Sequence, residues 1–352
     1  MAYIDRKHDV TFLKKIYRVG NFFGICPIYS FEHKELIFRR AYNVYLLIAC
    51  VAYVIGTYCS MYETYQHALV KMKFLQIVTA APTTLSLNIH PLINVIQILI
   101  TDKLWEDLLR GLQNVDRSFR GLVQRKKRSY YLLEVVSSHL LICYISFGMV
   151  TFRLLNGRLP DYETMNAICR YVLYVRCILI YNFAVCLGHR FEILAENLAS
   201  IDNAFGVYSK LCDLIETFNR LFGLDMLLFF ADMLLCFVLF INLLLYPFRK
   251  KTPWEISIQT IRIIHSFFTL VTLTGITWAC ERATANASGI SLVAVKLIQA
   301  RSQERTKLRL LYLRLKSRPK FTVWGLFELN SSNLLGSFGT LVSYLILALN
   351  TK

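Results

Sequence analysis

Seven stretches of this chain stay apolar for about 20 residues or more, the length a helix needs to cross a hydrocarbon core. They cover residues 41–61, 74–100, 130–152, 167–187, 221–247, 254–279 and 323–349. In lipid every backbone N–H and C=O must be satisfied within the protein, so such a chain folds as a helical bundle. The expected class is all-α, a polytopic membrane protein with seven transmembrane helices. The fifth stretch is the most apolar and contains MLLFFADMLLCFVLFINLLL. The second is the least regular, because Pro82, Asn88, His90 and Pro91 interrupt it. Residues 101–128 read as a basic connector, and 153–161, with Gly157 and Pro160, as a turn. The fourth stretch continues as helix through Arg190, Glu192 and Glu196. Pro253 stands at the first helical position of the sixth.

Charge sets the orientation. Lys and Arg number 40 against 23 Asp and Glu, a net +17 on a chain that is 55% hydrophobic. A soluble chain this basic would suggest a nucleic-acid partner. Here the excess sits in loops. The N-terminal arm carries Arg6, Lys7, Lys14, Lys15, Arg18, Lys34, Arg39 and Arg40, and the connector after the second span carries Arg117, Arg120, Arg125, Lys126, Lys127 and Arg128. The segment before the last span carries Lys296, Arg301, Arg305, Lys307, Arg309, Arg314, Lys316, Arg318 and Lys320. Arg249, Lys250 and Lys251 are the exception on the other side. The positive-inside rule therefore predicts a cytoplasmic N-terminus and an extracellular C-terminus. That orientation is opposite to a G-protein-coupled receptor, and neither an acidic-Arg-Tyr triplet nor an Asn-Pro-x-x-Tyr motif is present. Residues 283–315 read as an amphipathic helix with a dense basic face, suited to anionic lipid headgroups or to subunit contact. The sequons at Asn286 and Asn330 fall on the predicted cytosolic side, so neither is expected to carry a glycan. The first 15 residues lack the apolar core of a secretory signal.

Ionisable residues inside spans are costly and mark candidate sites. Asp225 and Asp232 lie two helical turns apart on one face of the fifth span. Arg170 and Arg176 fall in the fourth, and Arg262 and His265 in the sixth. A polar cavity with Asp232 paired to Arg176 or Arg262 is one expectation. The other is structural ion pairing, with Arg170 and Asp225 reaching the interfaces. His90 and His265 read as packing residues. The ten cysteines show no CxxC pair and no zinc spacing. No hydrolase triad, phosphate loop or proton-relay series appears, so neither an enzyme nor a cofactor or metal is expected.

The last span carries a resemblance. Gly325-Leu326-Phe327-Glu328-Leu329-Asn330 leads into Ser343-Tyr344, five hydrophobic residues from Leu345 to Leu349, and Asn350. This pattern resembles the C-terminal signature of insect gustatory receptors, which reads Thr-Tyr, five hydrophobic residues, Gln-Phe. Ser343 stands for the Thr, Asn350 for the Gln, and Thr351 replaces the Phe. Phe218-Asn219 and Phe222-Gly223 before the fifth span, and Phe12-Leu13 with Phe22-Phe23-Gly24-Ile25-Cys26-Pro27, also resemble the family.

The resemblance implies a multi-pass plasma-membrane receptor related to insect odorant receptors: a ligand-gated cation channel, tetrameric around one central pore. Homotetramers and heteromers with related receptors both fit. The implied division is a cytosolic arm over residues 1–40, spans one to six over 41–280, a cytosolic anchor helix over 281–322 and a pore-lining seventh helix over 323–352. Ser343, Tyr344, Ile346, Leu347 and Asn350 are the implied pore residues, with Ile346 and Leu347 as a dewetting constriction and Asn350 at its mouth. The ligand would sit in the outer half of the bundle, among Thr79, Thr83, Phe147, Thr151, Tyr171, Tyr174, Phe237, Asn242 and Ser266. Aromatic walls with a few hydroxyls suit an uncharged organic molecule. The implied partners are thus a small-molecule tastant, permeating cations and the lipid bilayer, and no nucleic acid. Bitter or deterrent compounds are the expected tastants, since receptors for them form the family's divergent majority. The competing readings are a receptor signalling through G proteins and an odorant-type chemoreceptor.

Overall fold

The computed structural model describes residues 8–67, 74–119, 162–198, 201, 203–245, 253–300 and 319–350. Among these, seven helices and two short hairpins follow one another: α1 (His8–Phe22), β1 (Tyr29–Ser30), β2 (Glu35–Leu36), α2 (Arg39–His67), α3 (Phe74–Ser118), α4 (Tyr162–Glu196), α5 (Ala204–Leu245), α6 (Pro253–Ala300), β3 (Thr322–Val323), β4 (Phe327–Glu328) and α7 (Ser331–Asn350). Five of them, α2 to α6, are long and apolar enough to cross a membrane. The 20-residue α7 is about 30 Å long, which matches a hydrocarbon core. The predicted third span, 130–152, lies outside the described residues.

The helices extend well past the apolar runs. Residues 101–118, read as connector, continue α3 beyond a kink at Thr101, where φ is −113° and ψ 23°. The Thr101 hydroxyl donates to the Gln97 carbonyl at 2.6 Å, a back-bond that bends helices. The α5 helix begins 17 residues before the apolar run, at Ala204, because Asn203 caps it by accepting the Gly206 N–H at 3.0 Å. Pro253 does open α6, and α6 runs unbroken through the boundary expected near 280 to Ala300. The start of the anchor helix is thus an extension of the sixth span; residues 301–318 lie outside the described ones. The last span is corrected more sharply. Val323 belongs to a hairpin, paired with Phe327, and the helix starts only at Ser331. Asn330 is its N-cap, its side-chain oxygen accepting the Asn333 N–H at 2.8 Å.

The most buried helix is α4, which packs most extensively on α6, while α3 packs on α5. By contrast α2 exposes Val44, Leu47, Ile48, Val51 and Ile55, a lipid-facing stripe. Asn88 and His90, which interrupt the second span, turn inward, and so does Asn94. Asn88 donates to Asn166 of α4 at 3.0 Å. At the α4–α6 crossing a Cβ on Gly188 would stand 3.2 Å from the Ala283 Cα, and Asn286 donates to the Gly188 carbonyl at 3.0 Å. Small residues let these backbones approach and a side-chain amide ties them.

Candidate functional site

Among the described residues, two polar centres share α4 and α5. The first surrounds Arg176, which is completely buried. Its Nε and Nη2 donate to the same Asp225 oxygen at 3.2 and 2.6 Å. Nη1 donates to the Ile25 carbonyl at 2.7 Å, and Nη2 also reaches Gln97 at 3.1 Å. The guanidinium carbon lies 5.3 Å from the Trp105 ring centroid and 4.8 Å from that of Phe222. One arginine therefore ties the N-terminal loop, α3, α4 and α5 together. The loop is shaped for this. Gly24 closes α1 with φ +64°, and the Ile25 N–H returns to the Gly20 carbonyl at 2.8 Å. Burial pushes the Cys26 thiol and the Tyr17 phenol well above their ordinary pKa values, so both stay neutral beside the ion pair.

This corrects the expected pairing: Arg176 takes Asp225 rather than Asp232. Asp225 and Arg170 are both buried rather than extended to an interface. The side chain of Arg262 lies outside the described ones.

The second centre lies one face-repeat along α5, about 10 Å from the first. Asp232, Cys236 and His265 are all buried, and their ligand atoms lie within 4.8 Å of one another. His265 Nδ1 is hydrogen-bonded to the Tyr174 hydroxyl, which also lies 3.5 Å from the His265 carbonyl oxygen. His265 Nε2 faces the Asp232 carboxyl at 3.9 Å, too far for a hydrogen bond. Among the described residues, Asp232 Oδ1, His265 Nε2, His90 Nε2 and Thr269 Oγ1 have no hydrogen-bond partner. His90 does pack, with its ring stacked 5.2 Å from Phe229, but its Nε2 is not satisfied. Neither Cys236 nor its grouping with Asp232 and His265 was singled out as a site from sequence. The available signal was the i, i+4 spacing of Asp232 and Cys236, which puts both on one face of α5.

Of the expected ligand residues, Tyr174 and Ser266 meet at this second centre. The Ser266 hydroxyl donates to the Cys236 carbonyl at 3.4 Å. Tyr171 is buried one turn away and packs on Phe23, with ring centroids 4.9 Å apart. Phe237 instead faces Phe338 of α7 at 5.9 Å. The side chains of Thr79, Thr83 and Asn242 lie outside the described ones, as do residues Phe147 and Thr151. Of the expected pore residues, Ser343 is exposed on α7 and donates to the Gly339 carbonyl at 2.9 Å. Tyr344, Ile346, Leu347 and Asn350 lie on the same helix, with side chains outside the described ones.

A seam connects α5 to the last helix. Asn219 donates to the Lys320 carbonyl at 2.7 Å and accepts the Thr322 N–H at 3.0 Å. A Cβ on Gly223 would meet the Trp324 nitrogen at 2.9 Å, so glycine is what lets the hairpin seat on α5. Ring pairs Phe218–Phe321 at 5.1 Å, Phe230–Phe327 at 5.3 Å and Phe237–Phe338 at 5.9 Å continue the seam. The Phe218-Asn219 and Phe222-Gly223 patches read from sequence thus serve to dock β3–β4 and, with it, α7.

Long apolar helices around buried polar centres define a multi-pass helical membrane protein. The chain matches the 7tm Chemosensory receptor family over residues 13–349, and it belongs to that family. Members are multi-pass plasma-membrane proteins, and the family is not an enzyme family. Among solved structures the chain is similar to the insect olfactory receptor OR5 from Machilis hrabei, with a TM-score of 0.63 and 14% identity over 97% of this chain and 98% of that one. It is also similar to the same receptor in complex with eugenol, with a TM-score of 0.65 and 14% identity over 98% of this chain and 100% of that one. At this identity the likeness speaks to the fold. No curated protein matches the chain.

Proposed function

We propose that this protein is a gustatory receptor: a ligand-gated, non-selective cation channel opened by a small uncharged tastant. The observation that carries the reading is the α5 seam. One helix carries Asp232 and Cys236 of the second polar centre and also holds the hairpin and α7 through Asn219, Gly223 and Phe237. A ligand that repacks the centre would therefore bias the position of α7. Tyr171, Tyr174 and Ser266 supply the aromatic walls and hydroxyls that an organic ligand requires. That a neighbour of the same fold was solved with eugenol supports a ligand of similar size. Binding must favour the open state over the closed one to gate the pore.

In this reading the N-terminus is cytoplasmic, the C-terminus is extracellular and four copies surround the pore. The α7 face bearing Ser343, Ile346, Leu347 and Asn350 lines that pore. Bitter or deterrent compounds are the first class to test. The olfactory receptor among the structural neighbours favours, as a second reading, an odorant-type ligand.

Current recording from cells expressing this chain alone, with a compound panel, tests the reading. Ligand-evoked current without added G protein is expected. A response that requires a G protein would overturn it, as would an extracellular N-terminal tag. Leu347→Ala and Asn350→Ala should change basal leak or ion selectivity, and unchanged conductance in both would defeat the pore assignment.

A further inference from the structure

We propose that Asp232, Cys236 and His265 form a binding site for one divalent transition-metal ion of the zinc class, bridging α5 to α6. Three observations converge. The first is the donor set. A carboxylate, a thiolate and an imidazole are ligands that zinc accepts together, and three protein ligands leave a fourth position for water or a ligand heteroatom. The second is geometry. Donor atoms about 2.0–2.3 Å from a tetrahedral ion stand about 3.4–3.6 Å apart. The Asp232 oxygen lies 3.9 Å from His265 Nε2 and 3.9 Å from the Cys236 sulfur. All three donor atoms lie within 4.8 Å of one another, so two edges contract by about half an ångström and the Cys236–His265 edge by up to about an ångström on binding.

The third observation is the unanswered polarity. In the tautomer with the proton on Nδ1, the Tyr174 hydroxyl accepts that proton and donates to the His265 carbonyl oxygen. Nε2 then carries a lone pair 3.9 Å from the Asp232 oxygen that accepts the Cys236 S–H, and the other Asp232 oxygen has no partner among the described residues. A cation that displaces the Cys236 proton would answer the nitrogen, the oxygen and the sulfur together. A histidine ligand held through its other nitrogen is also the usual second-shell arrangement around a metal. Charge closes the account. Metal binding releases the Cys236 proton, so a dication with one carboxylate, one thiolate and a neutral imidazole leaves the site neutral. Neutrality is what a low-dielectric interior favours. Ser86 and Ser266, both half-buried, border the cluster.

The proposal stands apart from the channel reading, since it concerns binding alone. It is tested on the purified full-length chain with cobalt(II), which reports thiolate ligation through a charge-transfer absorption. One ion per chain with that absorption is expected. Cys236→Ser should abolish the absorption, and His265→Gln should weaken binding at least ~10-fold. Tyr174→Phe, which keeps the ring but frees Nδ1, should weaken it ~10–100-fold. Zinc-edge X-ray absorption on the unmutated chain needs no variant to fold. It should show one sulfur near ~2.3 Å with nitrogen and oxygen near ~2.0–2.2 Å. No stoichiometric binding, a zinc shell with no sulfur or with several, or a cobalt spectrum unchanged in Cys236→Ser would each overturn the site.

Discussion

The two polar centres share α4 and α5 yet are built on opposite terms. Around Arg176 the cation meets its carboxylate at 2.6 Å, and its remaining donors go to a carbonyl and an amide. Around Asp232 the nearest basic nitrogen among the described residues stands off at 3.9 Å, and Asp232 Oδ1 and His265 Nε2 have no partner there. The Asp225 oxygen not used by Arg176 is also unpartnered, but its charge is balanced within the same carboxylate. The difference teaches how to sort ionisable residues in a membrane bundle. A charge balanced at hydrogen-bond distance is a fastener, whereas a carboxyl whose nearest described basic nitrogen stands 3.9 Å away leaves room for something else to bind.

The largest expected effect breaks the fastener. Arg176→Ala leaves Asp225 buried and uncompensated, and should cost about 3–5 kcal/mol. Thermal unfolding in detergent and loss of monodisperse protein would report it. The double variant Arg176→Met, Asp225→Leu should recover most of that loss, because no lone charge remains. If the double variant is as unstable as the single one, Arg176 does more than balance charge. Gly223→Ala comes next. The added methyl collides with the Trp324 backbone and should cost about 1–3 kcal/mol. It should also depress ligand-evoked current, while metal binding at Asp232 stays unchanged. Asn330→Ala removes the α7 cap, worth about 1 kcal/mol, which a melting curve resolves. The smallest stability effect belongs to the second centre. Asp232→Asn keeps shape, and among the described residues no cation sits at hydrogen-bond distance from this carboxyl, so the metal-free protein should stay within about 1 kcal/mol of the parent. A loss as large as that of Arg176→Ala would erase the distinction between the centres.

The outline of the fold was legible because hydrocarbon thickness and backbone satisfaction leave few choices. The five span-capable helices lie where apolar runs were read, and Pro253 opens α6 as its position suggested. The misses have physical causes. Helices do not stop where lipid stops, so α3, α5 and α6 run on through polar sequence that keeps its helical hydrogen bonds. The hairpin before α7 was hidden inside an apolar run, and only Gly325, with φ +74°, marked its turn. The site was legible in part. Arg170, Arg176, Asp225, Asp232 and His265, picked out as charges within spans, are all buried, but their partners depend on helix rotation, which one sequence does not encode. Asp225 and Asp232 occupy the same face, and only the crossing of α4 decides which one meets Arg176. The grouping of Cys236 with Asp232 and His265 joins residues of two helices, and spacing along one chain does not show it.

The Ile25 carbonyl has a genetic consequence. Arg176 takes it as a partner from the main chain, and every amino acid carries that atom. No missense change at position 25 can delete the acceptor, so substitutions there act through the buried apolar side chain and, for proline, through the lost N–H bond to Gly20. The vulnerability moves to the neighbour. Gly24 holds φ +64°, and a Cβ there would press within 3.2 Å of both Leu46 and Val95. A saturation scan should therefore tolerate apolar residues of similar size at 25 and disfavour most residues other than glycine at 24. Inherited loss of this receptor through the arginine hub would surface at 24 or 176, and far less at 25.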